Sequence, residues 1–226
     1  MNMRANRSRA IRQRGMGLIE LMIGMTIGLI VLAALGYFFM GSTQANRTHN
    51  DISRMQESGR NALEMMGTAI RQAGYRSEST IIVSPETPFV DALAGTNGAA
   101  GATDTITLQF NAQEGGEANC AGANVAAGAL VTSALAVNGS RQLTCNGTVV
   151  VDHIEDMQIV YGIDNSPKDG VIDIYKEEPT LAEFPQVAAV RVNLTVRGPT
   201  ANASTGGDGF LRQTYATTFT VRNQAR

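Results

Sequence analysis

At 226 residues the chain has room for one ordinary folded domain and a membrane segment. Apolar residues make up 43% of it, enough to fill a core, and the 24 glycines gather in polar stretches such as 95–101 and 115–128, which predict surface loops. The formal charge of −2 is unevenly spread. Arg4, Arg7, Arg9, Arg12 and Arg14 fall in the first fifteen positions with no acid among them, and the rest carries thirteen basic residues against twenty acidic ones, a formal −7. So acidic a body argues against nucleic-acid binding by the folded part.

The first element is an uncharged run of twenty residues, Leu21 to Met40. A helix of that length spans about 30 Å, the thickness of a bilayer's hydrocarbon core. Arginines before the run and none just after it predict a cytoplasmic N-terminus, with everything from about Ser42 onward on the far side of the membrane. A secretory signal peptide would have a shorter apolar core ending in small residues, whereas this run ends in Tyr37, Phe38, Phe39 and Met40. A plain single-pass anchor would leave Glu20 unexplained, because a carboxylate at the edge of an apolar helix costs free energy unless it has a use or a partner.

The residues around that carboxylate, Arg14-Gly15-Met16-Gly17-Leu18-Ile19-Glu20, resemble the prepilin peptidase site of type IV pilins. The resemblance implies cleavage after Gly15, an N-methylated Met16 as the new first residue, and Glu20 as the fifth-position glutamate that serves filament assembly. Met16 stands where Phe is commoner, and Gly17 where Thr or Ser is frequent. In a filament the glutamate would lie in a low-dielectric core. A neighbour's positive N-terminus is then its natural partner, offsetting a penalty of several kcal/mol for an isolated charge.

No proline interrupts the chain between Met16 and Arg76. Past Ser42 the pattern turns amphipathic. Ile52, Met55, Gly59, Ala62, Leu63, Met66, Ala69, Ile70 and Ala73 form one stripe at spacings of three and four, while Arg47, Asp51, Arg54, Glu57, Arg60, Glu64 and Arg71 occupy the other faces. Gly74 supplies a stop signal. A helix this long needs a packed face, so the stripe predicts docking on a globular domain.

Beyond Tyr75 the chain is strand-like. Val190, Val192, Leu194 and Val196 alternate with Arg191, Asn193, Thr195 and Arg197; Met157, Ile159, Tyr161 and Ile163 line a second candidate strand, and Leu211, Tyr215, Phe219 and Val221 a third. Shorter candidates run over 105–110, 143–151 and 171–176. One long helix followed by hairpin-linked strands predicts an α+β fold, with an antiparallel sheet packed on the helix stripe. The expected division is a basic leader (1–15), a membrane or filament-core helix (16–41), an amphipathic periplasmic helix (42–75) and a β-rich head (76–226).

Two cysteines, Cys120 and Cys145, lie in Gly/Asn-rich surroundings. In an oxidising compartment they would close a loop whose staple is worth roughly 3–4 kcal/mol; the alternative is two buried thiols. His49 and His153, the only histidines, stand in no nucleophile or metal motif, and no catalytic constellation appears, so neither an enzyme nor a cofactor is expected. Asp164, Asp169 and Asp173 surround Gly170 in a faint likeness to a calcium loop. The EF-hand spacing fails and Lys168 lies inside the segment, so a polar turn is the simpler reading.

The wording of 53–64 with 70–75 (Ile70-Arg71-Gln72-Ala73-Gly74-Tyr75), of 151–164, of 187–197 and of Phe219-Thr220-Val221-Arg222-Asn223 resembles the PilW family of minor pilins. That likeness implies a structural subunit which primes a type IV pilus or is incorporated into it. The implied partners are the prepilin peptidase, other minor pilins, the major pilin, the inner-membrane assembly platform and a tip adhesin. It further implies an inner-membrane location with the head in the periplasm before assembly, and the cell surface afterwards. A type II secretion pseudopilin shares this plan. A membrane-tethered periplasmic binding protein would need a pocket with convergent polar groups, for which the sequence has no signature.

Overall fold

The computed structural model describes residues 17–76, 92–99, 101–113, 116–201 and 207–224. The chain divides into two units, one ending at Arg47 and the other spanning Thr48–Arg226. A continuous helix, α1 (Leu18–Gln72), contributes to each. Within the second unit α1 is amphipathic as the spacing predicts: Met55, Gly59, Ala62, Met66, Ala69 and Ile70 are buried, as is Ala73 just beyond it.

Three positions depart from the expected pattern. Ile52 and Leu63 are only partly covered, and Asp51, assigned by pattern to a solvent face, is buried with Thr200 donating its hydroxyl to the carboxylate. The helix stops where Gly74 turns left-handed (φ 76°), a conformation that costs glycine little. Its last carbonyls find partners within the chain. The amide of Asn223 reaches back to the oxygens of Arg71, Gln72 and Ala73, the last at 3.0 Å, and Gly74 N–H donates to Gln109 O at 2.9 Å.

Eleven strands follow among the described residues: β1 (Leu93–Thr96), β2 (Thr105–Asn111), β3 (Glu117–Ala118), β4 (Asn124–Val125), β5 (Leu130–Val137), β6 (Gln142–Cys145), β7 (Thr148–Asp152), β8 (Ile154–Ile163), β9 (Ile174–Lys176), β10 (Val187–Ala201) and β11 (Phe210–Thr220). They make two antiparallel sheets, in the orders β1-β2-β5-β6-β7 and β11-β10-β8-β9, and a small β3-β4 ribbon. β10 keeps the predicted alternation, with Val190, Val192, Leu194 and Val196 fully buried and Arg191 exposed.

The expected single strand over 143–151 is two, because Asn146 and Gly147 both take positive φ and fold β6 back onto β7. The strand expected over 171–176 shortens to β9. The glycine-rich stretch expected to be loop begins inside β1, where Gly95 lies so close to Tyr161 that a Cβ would meet the phenol oxygen and, at 2.9 Å, Thr105 O.

One apolar cluster unites both sheets with α1, from Met66 and Ile70 through Ile106, Leu135 and Leu143 to Met157, Ile159, Val192 and Leu194. Asp104 ties the sheets together from within. Buried, it accepts Gly98 N–H at 2.9 Å on one carboxylate oxygen and Ile159 N–H at 2.6 Å on the other.

Candidate functional site: an apolar helix and its capped head

Gly15 and Met16 lie outside the described residues. From Gly17 the chain enters α1 at once, since the Gly17 carbonyl accepts Glu20 N–H at 3.1 Å and Leu21 N–H at 3.2 Å. Glu20 therefore sits in the first helical turn, where a carboxylate is favoured by the positive end of the helix dipole. Beyond it the large apolar side chains from Leu21 to Met40 point outward on every side and are all exposed. Thr26 and Thr43 return their hydroxyls to the helix carbonyls of Ile23 and Phe39, both at 2.9 Å, so neither leaves a polar group bare. A helix apolar all round is suited to lipid or to a bundle of like helices, and α1 is long and apolar enough to cross a membrane.

In the head, Cys120 and Cys145 form the expected disulfide, with Cα atoms 5.8 Å apart. It joins the turn after β3 to the end of β6, and Cys145 is fully buried. The three aspartates of the calcium-like segment are not gathered into one cluster. Asp164 accepts Gly170 N–H at 2.9 Å, Asp169 accepts Val171 N–H at 2.9 Å, and Asp173 accepts Asn165 N–H at 2.8 Å. Each thus braces the connection between β8 and β9, and among the described residues no group of three His, Cys, Asp or Glu is placed to hold a metal ion.

Two family models match the chain. One, described as Type IV Pilus-assembly protein W, matches residues 118–223; the other, the prokaryotic N-terminal methylation motif, matches residues 11–36. The two matches together support a type IV pilus minor pilin of the PilW family. No curated protein matches it. Among solved structures, a type IV-like pilin from Thermus thermophilus is similar at 15% identity and a TM-score of 0.47, over 80% of this chain and 98% of that one.

The PilW match ends at Asn223, the residue that caps α1, and it contains every strand of the β11-β10-β8-β9 sheet. The resembling segments, far apart in sequence, make one packing unit: the second half of α1, β8, β10 and the end of β11. One of its residues, Gly67, had no place in the apolar pattern: it is buried where Phe219 packs, while Gly59, already in the stripe, lies where Tyr215 packs. Their signal was the spacing itself. Eight residues of helix rise about 12 Å, close to the roughly 13.6 Å covered by four residues of strand between Tyr215 and Phe219.

Proposed function

We propose that this minor pilin is trimmed after Gly15, held in the inner membrane by α1 with its head in the periplasm, and then drawn into the initiating complex or the shaft of a pilus as a structural subunit without a cofactor. The observation that carries this reading is the fully exposed apolar half of α1 beginning just after Glu20. Such a surface needs cover, and either lipid or neighbouring helices supply it. Passage from one to the other costs little for the apolar side chains, which are equally well solvated in both.

Glu20 is the exception. At the membrane interface water and headgroups solvate it, whereas inside a bundle it needs a positive partner. The α-amine of a neighbouring subunit's Met16 answers that need, and a wrong axial register would leave both charges unpaired. Partners of this kind are other pilins, with the prepilin peptidase acting before them.

N-terminal mass spectrometry of envelope protein should find a chain starting at Met16, N-methylated. Glu20→Ala should still insert and be cleaved, yet be missing from pili or unable to prime them. Breaking a buried pair from one side costs about 3–5 kcal/mol, which shifts an assembly equilibrium by a factor of roughly hundreds to thousands. A mature chain still carrying residue 1, or normal piliation with the variant incorporated, would overturn the proposal.

A further inference from the structure

Around one end of the second sheet the backbone is irregular in four places at once. The β8–β10 pairing shifts register between Thr195 and Val196, and the β10–β11 pairing between Arg197 and Ala201. His153, between β7 and β8, stands in the left-handed region at φ 67°, and Arg141, in the turn before β6, at φ 60°. Glycine suits such positions better than either residue, arginine above all, and strain of this kind gathers at ligand clamps. Both residues line the same cavity of about 180 Å³, with Arg197, Ser140 and Phe210.

The charges there do not balance. Arg212 takes most of the neighbouring carboxylate capacity, donating to Glu155 at 2.5 and 3.0 Å and to Asp208 at 2.8 and 2.6 Å. Arg141 reaches Glu155 only at 3.5 Å, and Arg197 reaches Glu155 at 3.9 Å and Asp208 at 3.6 Å. Three guanidiniums thus face two carboxylates. The Arg197 side chain is almost covered, its Nε finds no acceptor among the described residues, and its plane lies 3.4 Å over the Phe210 ring, which fixes its orientation.

We infer that this cavity is an oxyanion receptor, in which Arg141, Arg197 and His153 hold one carboxylate or phosphate group. Arginine suits such a group because its planar fork donates two parallel hydrogen bonds. The cavity is smaller than the roughly 300 Å³ at which sites for whole small molecules begin, so it fits an anionic head alone. That head comes either from a free anion or from an acidic side chain of a docked protein. The inference stands apart from the processing and assembly role of α1.

The test is calorimetric titration of the full mature chain in detergent with inorganic phosphate, against sodium chloride at equal ionic strength. Phosphate should bind above the chloride control, and Arg141→Gln, altered at a half-exposed position, should weaken it at least tenfold. His153→Gly should raise the thermal midpoint, because glycine relieves the backbone, while weakening phosphate; a merely structural histidine would not couple those two changes. Displacement of phosphate by triglutamate would identify a protein carboxylate as the source, and failure to displace it a free anion. No phosphate binding beyond chloride, or equal affinity in wild type and Arg141→Gln, would overturn the inference.

Discussion

Replacing Gly67 by alanine reverses the usual sign of a helix substitution. In an exposed helix the change stabilises by about 0.5–1 kcal/mol, because glycine loses more backbone freedom on folding. Here the new methyl would stand 2.9 Å from both Cδ1 and Cζ of Phe219, with Cε1 nearer still, distances that Cβ atoms do not tolerate. Phe219 cannot simply swing aside: it pairs with Val190 across the sheet and lies beneath the Arg71 guanidinium, 5.9 Å from the ring centre. Overpacking typically costs about 1–3 kcal/mol, so the net loss is about 1 kcal/mol. For a folded unit of this size that lowers Tm by about 2–4 °C in calorimetry of the detergent-solubilised chain. Gly59→Ala, facing Cε2 of Tyr215 at 2.6 Å, should behave alike. In a Phe219→Ala background the ring is gone, and Gly67→Ala should then stabilise by its ordinary helix increment. If both alanine variants raise Tm in the intact chain, the glycines are not seats for the β11 aromatics and the proposed helix–sheet register fails.

Reducing the Cys120–Cys145 bridge should lower Tm by about 7–14 °C, since a loop of 25 residues is worth about 3.5 kcal/mol on the chain-entropy estimate; an unchanged midpoint would show that the bridge adds no stability. Asp104→Ala should cost about 3–5 kcal/mol by orphaning the amides of Gly98 and Ile159, and hydrogen exchange at those two amides should accelerate first. The hydrogen bond from Arg212, followed by the charges of Arg212, Arg197 and Arg141, holds Glu155 below its usual 4.5 against the opposing effect of burial, and Asp208 is lowered by hydrogen bonds from Arg212 and the Phe210 amide and by the charges of Arg212 and Arg197. Their folded pKa values lie below the unfolded ones, so the stability they supply is complete above about pH 4.5 and is lost as pH falls toward the folded values. Arg212→Gln should therefore flatten the fall of Tm below pH 4.5, and an unchanged acid slope would disprove the coupling.

The helix and three long strands were legible because each carries its own period. Val190 to Val196 alternate through a strand buried on one face, and Met55 to Ile70 recur every third or fourth residue. The first sheet was legible only in part: 105–110 marked β2 and 143–151 covered β6 and β7, whereas β1 and β5 went unmarked. In β5 the buried face is Val131, Ser133 and Leu135, so a polar residue occupies the centre of the apolar pattern, and its environment is set by neighbours distant in sequence. Asn146-Gly147, the turn that splits 143–151 into two strands, was a readable signal masked by the valines after it.

Asp51 and Asp104 mark a deeper limit. A pattern of polarity sends carboxylates to solvent, but each is buried against a partner supplied from elsewhere in the chain: Thr200 on β10 for Asp51, and the Ile159 amide on β8 for Asp104. Burial of a charge depends on donors that only the completed topology delivers. Glu20 presents the same problem one level up. No donor in the described chain pairs with its carboxylate, and a rule that left Asp51 and Asp104 without partners would have been wrong about both. In those two cases the fold brings the missing group; for Glu20 the proposed assembly does so, with the amine coming from another copy of the N-terminus or a related one. Local pattern therefore identifies the segments that pack, while the buried charges identify where packing depends on something beyond the segment itself.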